Sequence, residues 1–217
     1  MFDGGTFYGD GKMSDAKMGV TGFHFESGVL YAGTMSGPIT GYLIKKHVHR
    51  LSAFPAEGRS VSYYRYTFPV IRLADLYLMY AEALNEYKET PDQEVYEYID
   101  LVRNRSGLNG VVQSWADHAT DPDKPLTKEG LREIIRRERM NELAFEGIRF
   151  WDIRRWKMAE ELMNTPIRGL NVYATEYEDF YDVKVIDNIT FEKKDYLWPI
   201  RVAVLSKNAN LVQNPGW

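Results

Sequence analysis

Two glutamates four residues apart, Glu138 and Glu142, lie in the stretch "LREIIRRERMNELAFEGIRFWDIRRW" (residues 131–156) and are the first candidates for chemistry. Residues i and i+4 are neighbours on a helix, so the two carboxylates fall close enough to resemble a glycosidase acid pair. Such pairs flank a sugar-sized cleft at ~5–9.5 Å, which favours carboxylates from separate elements. Here both sit on one helix among Arg132, Arg136, Arg137 and Arg139. Those cations keep a carboxylate ionised and make it a poor general acid. On a wheel at 100° per residue, Leu131, Ile134, Ile135 and Phe145 share one face, with both glutamates in its middle. Acids so placed need cationic partners. Arg149, Arg154 and Arg155, beyond Gly147, are the expected ones. A structural ion-pair network of Glu138, Glu142, Arg149, Arg154 and Arg155 outweighs the catalytic reading, so no catalytic residue is assigned and no enzyme is expected.

Other chemistries fare no better. A DNA-reading helix would present Arg and Lys on one face with few acids among them, and the net charge of −4 opposes a broad nucleic-acid footprint. The chain has no Cys, which removes disulfides, thiolate zinc sites and a Cys nucleophile. His47 and His49 would share a strand face, but no third ligand follows at useful spacing, so a surface pair is expected and no metal. "GDGKMSD" lacks the Gly-Lys-Ser/Thr ending of a phosphate loop, and no cofactor is expected. Binding is better supported than catalysis. Tyr alone supplies 15 residues, and an aromatic ring offers an apolar face for sugars or proteins. Tyr31, Trp115, Tyr63 and Tyr64 sit among polar or glycine residues, away from the helix stripes, and Asp117 and His118 could orient sugar hydroxyls beside Trp115.

The elements that would position these residues are mostly helical. Residues 1–62 form a loop- and strand-rich segment holding most of the glycines, with "GFHFESGVLY" and "GYLIKKHVHR" as short strands. From there, Pro69 suits a first helical turn. Leu73, Leu76, Tyr77, Tyr80, Ala81, Leu84 and Tyr87 recur as one apolar stripe. A second helix starts at "TPDQ", with Thr90 as cap and Gln93 completing a capping box, and stops at Gly107. Its stripe is Val95, Tyr98, Ile99 and Val102. The stretch 109–127 reads as a surface loop. Thr127 caps a third helix running to Gly147, and a fourth covers Arg149 to about Met163. "YDVKVIDNITFEKKDYLWPI" alternates around Asp187-Asn188 like a hairpin. No apolar run approaches the ~20 residues of a membrane span.

Together, "FPVIRLADLYLMYAEALNE", "YIDLVRNRSGL", "LREIIRRERMNELAFEGIRFWDIRRWK", "YLWPI" and "NLVQNPGW" resemble, in order, the C-terminal portion of RagB/SusD-type proteins, over residues 64–217. The resemblance implies a mainly α fold of tetratricopeptide-like helix pairs, irregular loops carrying the ligand site, and a few short strands or hairpins. It implies residues 63–217 as the helical domain, with residues 1–62 continuing an N-terminal part not in this sequence. It also implies a nutrient-binding lipoprotein of the outer membrane, at the cell surface, that captures an oligosaccharide for a SusC-like, TonB-dependent transporter. Membrane attachment would come only through an N-terminal lipid anchor. The alternative is a helix-repeat protein-interaction scaffold with no small ligand.

Overall fold

A computed structural model describes residues 64–171 and 177–217, together with Thr40, Tyr42, Lys46, His47 and His49. The chain divides into two compact units. One is Phe68–Asp152; the other contains Ile153–Trp217 and the described residues up to Thr67.

Four helices build the first unit: α1 (Leu73–Tyr87), α2 (Gln93–Arg105), α3 (Val111–His118) and α4 (Lys128–Glu142). A helix α5 (Ile148–Arg155) begins within it, and a 3-10 turn at Lys124–Leu126 leads into α4. α1 packs against both α2 and α4. The core joins Ala81 of α1, Val95 and Ile99 of α2, Val111 of α3, and Leu131, Ile134 and Ile135 of α4. Burying each of the larger aliphatics contributes ~1.5–3 kcal/mol. The stripes of α2 and α4 thus face inward as their periodicity predicts.

The ends of the helices show local chemistry at work. Gly107, at φ +75°, closes α2, with its own N–H donating to Asn104 O and Leu108 N–H donating to Arg103 O. The Thr127 hydroxyl accepts from Gly130 N–H at 3.1 Å and caps α4, as expected. α2 differs: its cap is Asp92, which accepts from Val95 N–H, rather than Thr90. Lys88 fixes that aspartate, donating to its two oxygens at 2.8 and 2.7 Å. α1 starts at Leu73 instead of Pro69. No side chain caps it. Its start is set by Arg72, an extended residue tied to Glu142 and Glu146.

Periodicity placed the buried face of α1 only in part. Tyr77, Ala81 and Leu84 of the expected stripe do meet the core, but the buried residues are Ala74, Leu78, Ala81 and Asn85. Leu73, Leu76 and Tyr87 are exposed, Leu73 at 59%, and Tyr80 lies edge-on to Tyr98 of α2 at 4.5 Å. The helix is apolar on two sides, and a stripe count cannot tell which one meets α2 and α4. The expected loop at 109–127 holds α3 and the 3-10 turn. α4 ends at Glu142, short of Gly147, and Phe145 adopts φ +64° in the turn that follows. Phe145 therefore leaves the core face and is 44% exposed.

In the second unit, the expected helix to Met163 is split. α5 ends at Arg155 and α6 (Ala159–Met163) follows a break at Lys157, which has φ +58°. β2 (Val183–Asp187) pairs antiparallel with β1 (Ile167–Leu170), so the hairpin around Asp187-Asn188 is corrected: β2 returns to an earlier strand. Between them lies α7 (Tyr177–Phe180), and a 3-10 turn at Lys193–Tyr196 and α8 (Val202–Leu205) follow. Ile153, Ala159 and Phe191 form a small core. Asn164 braces it, accepting from Phe191 N–H at 2.8 Å and donating to Phe191 O at 3.0 Å. The irregular C-terminal tail is held by its polar groups. Gln213 bonds both backbone groups of Ile200 at 2.9 Å, and Trp217 Nε1 donates to Lys194 O and Leu197 O.

Gly130 offers a sharp test of the α4 entry. A Cβ there would stand 2.0 Å from the Lys124 carbonyl oxygen and 2.7 Å from Thr127 Oγ1. Alanine gains up to ~1 kcal/mol of helix propensity over glycine, but this contact is with backbone and must displace it. Gly130→Ala is therefore expected to lower stability by ~1–3 kcal/mol, read as a reduced urea midpoint at unchanged m-value.

Candidate functional site

The charged stretch forms a layer of ion pairs that binds the helices of the first unit. Arg139 of α4 is 3% exposed. Its Nε donates to Asp152 at 2.9 Å, its Nη2 to the other Asp152 oxygen at 3.3 Å, and its Nη1 to Asp75 of α1 at 2.9 Å. Glu142 meets Arg72 and Arg105, each at 2.7 Å. Glu138 is bonded by Arg103 of α2, which also donates to Asn109 O at 2.9 Å and Ser114 Oγ at 2.8 Å. The side chains of Glu138 and Glu142 are 13% and 12% exposed. Both acids thus lie half-buried against arginines.

The arginines described on these two acids are Arg72, Arg103 and Arg105, where the sequence pointed to Arg149, Arg154 and Arg155. α4 lies against α1 and α2, and packing brings together groups 35 and more residues apart. Burial pulls the Arg149 guanidinium below its ordinary value, opposed by the charge of Asp152. Arg154 lies over the Phe191 ring and Arg155 over Trp156, at 5.1 and 4.7 Å from the ring centroids.

The same layer anchors a cleft. α3 begins where Val111 N–H donates to Asp100 Oδ1 of α2 at 2.7 Å. Its cap residue, Gly110, has no side chain to do this, and a Cβ there would lie 2.6 Å from Asp100 Oδ2. Trp115 of α3 packs on the core and lies 5.8 Å from the Arg103 guanidinium. Between α3, the 3-10 turn and α4 opens a cleft of about 430 Å³, within the ~300–1,000 Å³ range of small-molecule sites. Trp115, His118, Asp121, Lys124, Glu133 and Arg137 line it. Lys124 Nζ pairs with Glu133 at 2.6 Å, and that ammonium holds the Glu133 carboxyl below its ordinary value.

Of the residues selected by sequence, the structure joins Trp115 and His118 in this cleft. Trp115 sits on a helix, not a loop, and is half-buried. Asp117 is exposed and accepts from Gln113 at 2.8 Å, outside the lining. Tyr64 belongs to the other unit, 53% exposed and stacked on His49 at 5.5 Å; His47 stacks likewise on Tyr66. Tyr31 and Tyr63 lie outside the described residues. Sequence reasoning missed Asp121, Lys124, Glu133 and Arg137. The i,i+4 spacing of Glu133 and Arg137 placed those two on one face, but only folding of the supposed loop brings Trp115 to them.

Two substitutions test this framework. Glu138→Ala leaves Arg103, 8% exposed, without its carboxylate, and is expected to cost ~3–5 kcal/mol in denaturant unfolding. Asp100 gives a pH signature. Burial pushes its carboxyl above the ordinary value, against the opposing Val111 bond and the Arg103 charge. A raised folded pKa contributes stability that is full below the unfolded value of ~3.9 and is lost as pH rises through the folded value. Asp100→Asn, which keeps an acceptor for Val111, is expected to flatten that loss in unfolding midpoints measured from pH 3.5 to pH 7.

The model of the SusD family matches residues 1–217. A SusD-like protein, P2, of Formosa agariphila is 33% identical over 148 residues, covering 68% of this chain and 25% of that protein. Among solved structures, BT4246 aligns at 30% identity with a TM-score of 0.57, over 68% of this chain and 23% of that one. A SusD-like protein (BF3747) from Bacteroides fragilis aligns at 31% identity with a TM-score of 0.52, over 66% of this chain and 24% of that one. The chain therefore spans about a quarter of the length of the relatives it matches. With the mainly helical, tetratricopeptide-like architecture of those neighbours and a match along its whole length, this chain belongs to the SusD family.

Proposed function

We propose that this chain is part of a cell-surface nutrient-binding protein that captures an oligosaccharide and delivers it to a SusC-like, TonB-dependent outer-membrane transporter. The whole-chain match to the SusD family carries this reading. The protein works at the outer membrane through an N-terminal lipid anchor. Among the described residues no helix is long and apolar enough to cross a membrane. The cleft beside Trp115 and His118 supports the binding role, since it pairs an indole ring with polar side chains. Tyr31, Tyr63, Tyr64 and Asp117 remain proposed as further contacts. The role is non-catalytic: Glu138 and Glu142, the strongest acid pair in the sequence, are both engaged by arginines.

One observation favours a second reading, a helix-repeat scaffold that binds protein and no small ligand. α1 presents Leu73, Leu76 and Met79, each more than 40% exposed. Two measurements separate the readings. Calorimetric titration with a panel of oligosaccharides is expected to give saturable binding with no cleavage product. Solubilised outer membranes are expected to yield a TonB-dependent transporter with the tagged protein. Transporter capture with no saccharide bound at millimolar concentration would replace the first reading with the second. Hydrolysis abolished by changing one carboxylate would overturn both.

A further inference from the structure

We infer that the cleft between α3 and α4 is a subsite for neutral sugar rings and discriminates against acidic ones. This rests on the nutrient-binding reading above. The first ground is charge balance. Two cations, Lys124 and Arg137, face two carboxylates, Asp121 and Glu133. The lining is therefore charged but balanced. A uronate or sulfate entering it would gain from Arg137 and lose to Asp121 and Glu133. A cation would meet the converse. A neutral hydroxylated ring meets neither penalty, because each hydroxyl both donates and accepts.

The second ground is which polar groups are committed. Lys124 and Glu133 are tied to one another at 2.6 Å. The side chains of His118, Asp121 and Arg137 carry no hydrogen bond or ion pair among the described residues. One guanidinium, one imidazole and one carboxylate thus stand exposed around a single cleft. That set supplies donors and an acceptor for neighbouring hydroxyls, and Arg can donate two bonds at once.

The third ground is rigidity. Trp115 cannot swing freely, because its ring packs on the core and beside Arg103. Arg103 is itself fixed by Glu138, Asn109 and Ser114. A ring held in this way presents an apolar surface to the C–H face of a sugar at little entropic cost. Trp115 is the stacking surface, Arg137 and Asp121 set hydroxyl orientation, and Arg103 is a positioning residue that never touches ligand.

The test uses the 217-residue chain in calorimetric titrations with neutral hexasaccharides (malto-, cello-, xylo- and manno-) and with galacturonate and alginate hexasaccharides. At least one neutral series is expected to bind more tightly than either acidic one. Arg137→Ala is expected to weaken that binding about tenfold, the loss typical of one charged hydrogen bond. Arg137 is exposed and unbonded, so unchanged thermal unfolding is expected alongside. Trp115→Ala is expected to abolish binding, but it also removes core packing, so Arg137→Ala and Asp121→Asn carry the decision. Asp121→Asn tips the cleft to net positive and is expected to raise galacturonate affinity at least about threefold. Neutral binding left intact in both Arg137→Ala and Asp121→Asn overturns the placement while leaving the nutrient-binding reading standing. Tighter binding of the acidic series to the unaltered chain overturns the discrimination. Failure of every saccharide to bind overturns the nutrient-binding reading itself.

Discussion

A guanidinium that is 3% exposed can exist only where carboxylates surround it, and Arg139 meets that condition with Asp152 on one side and Asp75 on the other. Those partners come from α1 and α5, so the demand for a counter-charge fixes where three helices cross. Arg72 makes the same bargain in reverse, reaching from the start of α1 to Glu142 at the end of α4 and Glu146 in the turn beyond it. These ion pairs flank an apolar core of Ala81, Val95, Ile99, Val111, Leu131, Ile134 and Ile135. A well-packed apolar replacement of such pairs can be neutral, whereas loss of one partner is costly. The layer is thus a specification of register as well as a source of stability.

The cleft inherits that register. Arg103 bonds Glu138 of α4 and Ser114 of α3 while lying beside Trp115. The same side chain therefore sets the spacing of α2, α3 and α4. Asp100 fixes the other end of α3 through Val111. At the entry to α4, Lys128 Nζ donates to the carbonyls of Glu86 and Lys88 at the end of α1, where the helix dipole favours a cation. The cleft side chains thus project from elements clamped on several sides, which is what recognition of a weakly interacting hydroxylated ligand requires.

Helix α1 shows why a scaffold of stacked helices is hard to orient from one strip of sequence. Its exposed residues Leu73, Leu76 and Met79 are larger than the buried Ala74 and Ala81. Small residues line the closest approach to the core, while the rings of Tyr77 and Tyr80 lie at its margin against Tyr98 of α2. In repeat architectures each helix pair is covered by its neighbours, so both sides of a helix are apolar. A stripe count weighted by hydrophobicity then finds part of the buried face, Tyr77, Ala81 and Leu84, but misses Ala74, Leu78 and Asn85.

Composition and periodicity alone determined that the chain is mainly helical, which faces of α2 and α4 are buried, that Gly107 and Thr127 end and begin helices, and that Glu138 and Glu142 meet arginines. Each of these follows from interactions within a turn or two of chain, where residue type and spacing leave little freedom. Motifs carried the family for the same reason, being local. Tertiary packing decided the rest. It chose Arg72, Arg103 and Arg105 for the acids, started α1 at Leu73, folded the stretch after Asn109 into α3, and paired β2 with β1. It also brought Trp115 and His118 beside Asp121 and Arg137, which no spacing announces. Ion pairs and stacking contacts join residues far apart in the chain, and their partners are fixed only when helices acquire crossing angles and a common core.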